Sequence, residues 1–123
     1  MEGVLFEFYR GDTYSRDFTI EGYTSPIDKV FFTVKENVED KKPVLQKTLG
    51  NGITLVDEDE EINSRTYNLT IRCIDTDDLK ADYNYTFDIE IHSPGTADMP
   101  IKKTIVTGTL KVKASATRTF NEY

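Results

Sequence analysis

Arg10-Gly11-Asp12 is the first group of residues whose types and spacing suggest chemistry. On an exposed loop it would present a guanidinium and a carboxylate to a cell-adhesion receptor. The plainer reading is a tight turn, with Gly11 supplying the backbone angle and Asp12 bonding within its own loop. The run Asp57-Glu58-Asp59-Glu60-Glu61 could gather oxygens around calcium, which takes about six to eight of them. It lacks the alternation of ligands with turn-forming glycine, so five consecutive acids read as a solvated polar loop. Asp75, Asp77 and Asp78 form a tighter cluster, and capping of a short helical turn already accounts for them.

Cys73 and His92 are the single residues of their types. Alternation places Cys73 on the inward face of one strand and His92 on the outward face of another, and a buried Cys in an apolar strand is usually a small core hydrophobe. One His leaves no triad or imidazole metal centre. Nothing among the 22 acids selects a carboxylate pair for glycoside hydrolysis, and a hydrolase would need a cleft holding a raised-pKa carboxylate. Sugar stacking has Tyr9, Tyr14 and Tyr23 near the first turns as candidates, without any Trp. The sequons at Asn68 and Asn84 fall inside strands and read as chance matches. No catalytic, cofactor-binding or metal-ligating residue is assigned, and a non-enzymatic protein is expected.

The elements that would carry these residues are strands. From Tyr83 to His92 the odd positions are Tyr83, Tyr85, Phe87, Ile89 and Ile91 and the even ones polar, the period of a half-buried strand. The same alternation turns Tyr67, Leu69, Ile71 and Cys73 inward from 65–73, and Val30, Phe32 and Val34 from 28–36. Further strands are expected at 4–10 (Val4, Phe6, Phe8), 15–21 (Phe18, Ile20), 43–49, 53–57 and 101–113, where Val106, Leu110 and Val112 share a face, making eight. Breakers fall between them at Gly11-Asp12, Gly22 with Ser25-Pro26, Asp40 to Pro43, Gly50-Asn51-Gly52 and Ser93-Pro94-Gly95. Asn51-Gly52 predicts a type I′ hairpin, because both residues tolerate positive φ. One short helical turn is expected near 75–81, followed by a strand whose Tyr83 or Tyr85 would bond back to the corner, as in immunoglobulin-like sandwiches.

The expected fold is therefore an all-β, immunoglobulin-like antiparallel sandwich of about eight strands over residues 1–113, with 114–123 a tail or linker. A chain of 123 residues, 37% hydrophobic and 30% charged, has one domain's worth of core. Its net charge of -7 argues against nucleic acid as a partner. No apolar run suits a membrane span, and Met1-Glu2-Gly3-Val4 lacks the pattern of a signal peptide, so a chain made in the cytoplasm is expected. Charge is uneven: residues 57–90 hold eleven acids against three bases, and 101–123 hold five bases against Glu122. Opposite-signed regions could bring copies together, although a solvated surface is the simpler reading.

The order of several short motifs resembles a known family. These are Arg10-Gly11-Asp12-Thr13 with Phe18-Thr19-Ile20, Val30-Phe31-Phe32-Thr33-Val34-Lys35, Asp75-Thr76 with Leu79, Tyr85-Thr86-Phe87-Asp88-Ile89, and Thr107-Gly108-Thr109-Leu110-Lys111-Val112. Together they are similar to small phage and prophage proteins related to the immunoglobulin-like amino-terminal module of the phage baseplate upper protein. The family places a Gly shortly before the Tyr-x-aromatic-Asp strand, where this chain has Ala81-Asp82-Tyr83-Asn84. The resemblance implies a virion component of a tailed phage of Gram-positive bacteria, made in the host cytoplasm. Its place would be the tail or baseplate, its partners other phage structural proteins or further copies of itself, and its chemistry none. The alternative is a carbohydrate- or cell-surface-binding β-sandwich module.

Overall fold

The computed structural model describes residues 3–23, 26–95 and 101–114. Eight strands follow in order, β1 (Val4–Tyr9), β2 (Tyr14–Ile20), β3 (Lys29–Lys35), β4 (Leu45–Leu49), β5 (Gly52–Asp59), β6 (Ser64–Ile71), β7 (Tyr85–Ser93) and β8 (Ile101–Lys113). A 3-10 turn, Cys73–Thr76, separates β6 from β7. The protein is all-β, and each strand lies within two residues of its expected bounds. Apart from Ala114, the expected tail lies outside the described residues, as does Ser25 of the second break.

Alternation decides which side of each strand is buried. Along β7 every odd residue from Tyr85 to Ser93 is buried and every even one is half-exposed. Val30, Phe32 and Val34 of β3 are fully enclosed, and Phe6, Tyr67, Leu69, Ile71, Leu110 and Val112 join them. Burying one large aliphatic or aromatic side chain contributes roughly 1.5–3 kcal/mol, so this shared interior is the main support of the fold.

Hydrogen bonding links all eight strands into one mixed sheet in the order β1-β8-β7-β3-β4-β5-β6-β2. Two pairings are parallel, β1 with β8 and β4 with β5, where antiparallel pairing throughout was expected. The β4–β5 link is short, only Thr48 with Gly52 and Leu49 with Ile53. The sheet curls until its first and last strands meet through rings. Phe8 stacks on Tyr14 at 4.4 Å, Phe6 lies 5.5 Å from Tyr14, and the Arg16 guanidinium sits 4.9 Å over Phe6. The result is nearly a barrel, with an aromatic seam where hydrogen bonds would complete one.

Three local expectations are corrected. The Asn51-Gly52 hairpin does not form: the left-handed residues are Gly50 (φ 90°) and Gly52 (φ 98°), on either side of Asn51. Thr48 and Asn51 instead exchange backbone bonds of 3.0 and 2.8 Å around Leu49-Gly50, and the Gly50 N–H donates to the Ile53 carbonyl at 2.8 Å; beyond these bonds β5 pairs parallel to β4. The helical turn starts at Cys73, two residues before the expected Asp75, so Cys73 lies half-buried on that turn and not inside a strand. Tyr83 precedes β7, leaving Tyr85 as its first residue.

Candidate interaction surfaces

Arg10-Gly11-Asp12 is built into the body of the protein. Gly11 is buried and its N–H donates to Thr76 Oγ1 at 2.9 Å, while Arg10 Nη1 donates to the Leu79 carbonyl at 3.0 Å. The Arg10 N–H also bonds the Lys113 carbonyl and the Asp12 N–H bonds that of Tyr9. The triplet thus ties the β1–β2 turn to the 3-10 turn and to the end of β8, and it is not displayed for a receptor.

Beneath that tie lies an ion pair that sequence patterning does not announce. Lys47, on the inward side of β4, places Nζ 2.7 Å from Asp75 Oδ2, with both side chains at most 9% exposed. Asp75 Oδ2 also accepts the Arg72 N–H at 2.7 Å, so the acid closes the start of its own turn. Burial pushes the Asp75 carboxyl upward, but the hydrogen bonds from Lys47 and Arg72 and the Lys47 charge outweigh it, holding the group below its usual range. The one signal for the pair in the sequence is Gly52. A Cβ there would stand 2.5 Å from Lys47 Cδ, so the glycine leaves room for the lysine stem.

Of the two tyrosines expected to bond back near the start of β7, Tyr85 does so, its Oη accepting the Lys80 N–H at 2.8 Å. Tyr83 reaches the Glu36 carbonyl at 3.4 Å instead.

The acidic run lies at the end of β5 and in the turn after it, exposed along its length. Arg65 holds Glu58 at 3.0 Å, and Asp59 accepts the Glu61 N–H. No set of three or more His, Cys, Asp or Glu among the described residues could hold a metal ion. Asp77 and Asp78 are exposed beyond the 3-10 turn, while Asp75 serves Lys47 and Arg72. No described hydrogen bond joins Cys73 to His92; His92 Nε2 sits 2.6 Å from Glu90 Oε1 on the same strand.

The three tyrosines that were candidates for stacking on sugars divide. The Tyr14 ring is packed against Phe8 and Phe6, and Tyr23 Oη shares a 2.9 Å hydrogen bond with Ser93 Oγ. Tyr9 is the most open of the three, at 49% exposure, with Lys113 Nζ 5.5 Å over its ring.

Above the aromatic seam the two ends of the sheet part to leave a cleft of about 560 Å³. Val4 and Phe6 of β1, Phe18 and Ile20 of β2, and Val106 of β8 line it over a floor of Leu69 and Ile89. Arg16, Asp17, Glu21 and Lys103 surround its mouth. On the β2 side no described strand pairs with the outer edge of Tyr14–Ile20. The stretch Thr54–Asp59 of β5 also has one unpaired edge among the described residues, and it exposes Leu55 and Val56 beside the acids. A strand edge with unpaired backbone groups is a template for pairing with another chain. Comparison with known protein families and with curated proteins finds no match for the chain.

Proposed function

We propose that the chain is a non-enzymatic structural component of a tailed phage or prophage, and that it holds neighbouring subunits of the tail or baseplate through protein–protein contacts. In this reading the curled sheet is an immunoglobulin-like sandwich. One layer is β5-β6-β2, which matches the D-E-B order of that fold. The other is β4-β3-β7-β8, which matches C′-C-F-G, with β1 lying parallel on β8. The two-position β4–β5 link is then a bridge between layers, and the Tyr85 bond to Lys80 is the corner that such folds place before strand F.

The observation that carries the contact role is the unpaired β2 edge beside an apolar cleft with charges of both signs at its mouth. Interfaces have this composition, an apolar centre within a polar rim. Mass spectrometry of tailed particles purified from a strain carrying the gene tests the proposal. Peptides from this chain should band with the particles at a stoichiometry similar to tail proteins. Recovery only in the particle-free fraction would overturn it.

A further inference from the structure

We propose that the groove on the outer face of β3, β4 and β7 is a saccharide site that takes one neutral pyranose unit, with Phe31 as its platform. The groove encloses about 330 Å³ between the outward side chains of these strands and the Lys41–Pro43 loop. Small-ligand sites begin at roughly this size.

Three observations single it out. The first is a prepared aromatic surface. Phe31 projects outward, half-buried, and the His92 ring leans on it at 4.8 Å and 50°, itself held by Glu90 at 2.6 Å. A ring held in place by its neighbours loses little freedom when a ligand stacks on it, and its electron-rich face favours the C–H side of a sugar.

The second observation is Asp88. Its side chain is half-buried between Thr33 and Thr107 on the neighbouring strands, yet it makes no hydrogen bond or ion pair among the described residues. Burial, then the like charge of Glu90, push this carboxyl above its ordinary value, and Lys35 offsets only part of that. Its oxygens reach solvent at the groove surface, so a ligand hydroxyl can donate to them in place of water.

The third observation is charge balance. Lys35, Lys41, Asp88 and Glu90 all line the groove, so its formal charges cancel and both donors and acceptors are at hand. A charged ligand gains no net attraction there. A polyol, whose hydroxyls both donate and accept, can satisfy both kinds of group.

This site is separate from the seam cleft, and the proposal does not depend on the virion role. The test is a glycan array of hexose-, N-acetylhexosamine- and deoxyhexose-terminated oligosaccharides, followed by titration calorimetry of any positive. The expected result is binding that weakens at least about tenfold in both Phe31→Ala and Asp88→Asn, with Tyr9→Ala unchanged. Asp88→Asn keeps the shape of the side chain, so it remains informative if Phe31→Ala fails to fold. No bound glycan at millimolar concentration, or binding indifferent to both groove variants, overturns the proposal. Release of a reducing sugar from a glycan bound in this groove would uphold the site while overturning the non-enzymatic reading.

Discussion

The corner around the 3-10 turn and the acidic ribbon at the far end of β5 and β6 both set carboxylates against basic side chains, with opposite physical results. At the corner, Lys47 and Asp75 are removed from water, and Asp75 takes further bonds from Arg72. On the ribbon, Glu58 is 41% exposed beside Arg65, and its acidic neighbours Asp57 and Glu60 face solvent. The two pairs differ little in length, 2.7 Å against 3.0 Å. Burial makes the difference, because a charge stripped of water is stable only while its partner remains.

The largest expected effect therefore comes from removing one half of the corner pair. Asp75→Ala should lower unfolding stability by about 3–5 kcal/mol, since it strands the Lys47 ammonium inside. The double variant Lys47→Met, Asp75→Leu should recover most of that loss. Urea unfolding reads both, and a loss under about 1 kcal/mol for Asp75→Ala would show that water reaches the pair. The pH dependence has a definite sign. A carboxyl held below its ordinary value contributes stability that is fully present above the unfolded-state pKa and is lost as pH falls through the lower folded value. Asp75→Asn should thus flatten the acid side of the stability curve.

Next in size is the corner tyrosine. Tyr85→Phe removes the acceptor of the Lys80 N–H and leaves the buried ring in place. A loss of about 1 kcal/mol is expected from thermal or urea unfolding, with the strand content unchanged by circular dichroism. An unchanged midpoint would mean that water replaces the hydroxyl without cost, and the corner would then be a consequence of the fold and not a support.

These two sites also show how far the amino-acid sequence specifies the molecule in a readable way. Period-two alternation reports which side chains face inward, so β3, β6 and β7 and most of their core residues are legible from residue order alone. Tyr85 is one of two candidates for the corner, and only the start of β7 chooses between them. Lys47 is not legible. It shares the inward parity of Leu45, but a lysine at such a position is ordinarily placed in solvent, and its acid lies 28 residues further along the chain. The β4–β5 crossing misleads for a related reason. Asn51-Gly52 satisfies a hairpin rule locally, while Gly50 and Gly52 take the left-handed angles of the observed turn and Gly52 leaves room for the Lys47 stem. The outer groove stays hidden because alternation assigns Phe31, Asp88 and His92 to solvent one strand at a time. It does not say that the β3–β7 register puts Phe31 directly beside Glu90.

The smallest effect on stability belongs to the ribbon. Glu58→Gln should change it by less than about 0.5 kcal/mol, because an exposed pair gains little and salt screens it. If the ribbon charges do little within the molecule, their role in the assembly reading lies between molecules. The basic counterpart is β8, which carries Lys102, Lys103, Lys111 and Lys113 and no acid. Contact between the ribbon of one copy and β8 of the next is head-to-tail, and it would weaken as added salt brings the Debye length to about 8 Å and below. Sedimentation velocity from low to moderate salt should show association receding over that range, and receding further in Glu58→Gln at low salt. A salt-insensitive monomer at every concentration would remove self-association through these charges, and would leave the unpaired β2 edge as the remaining surface for a different subunit.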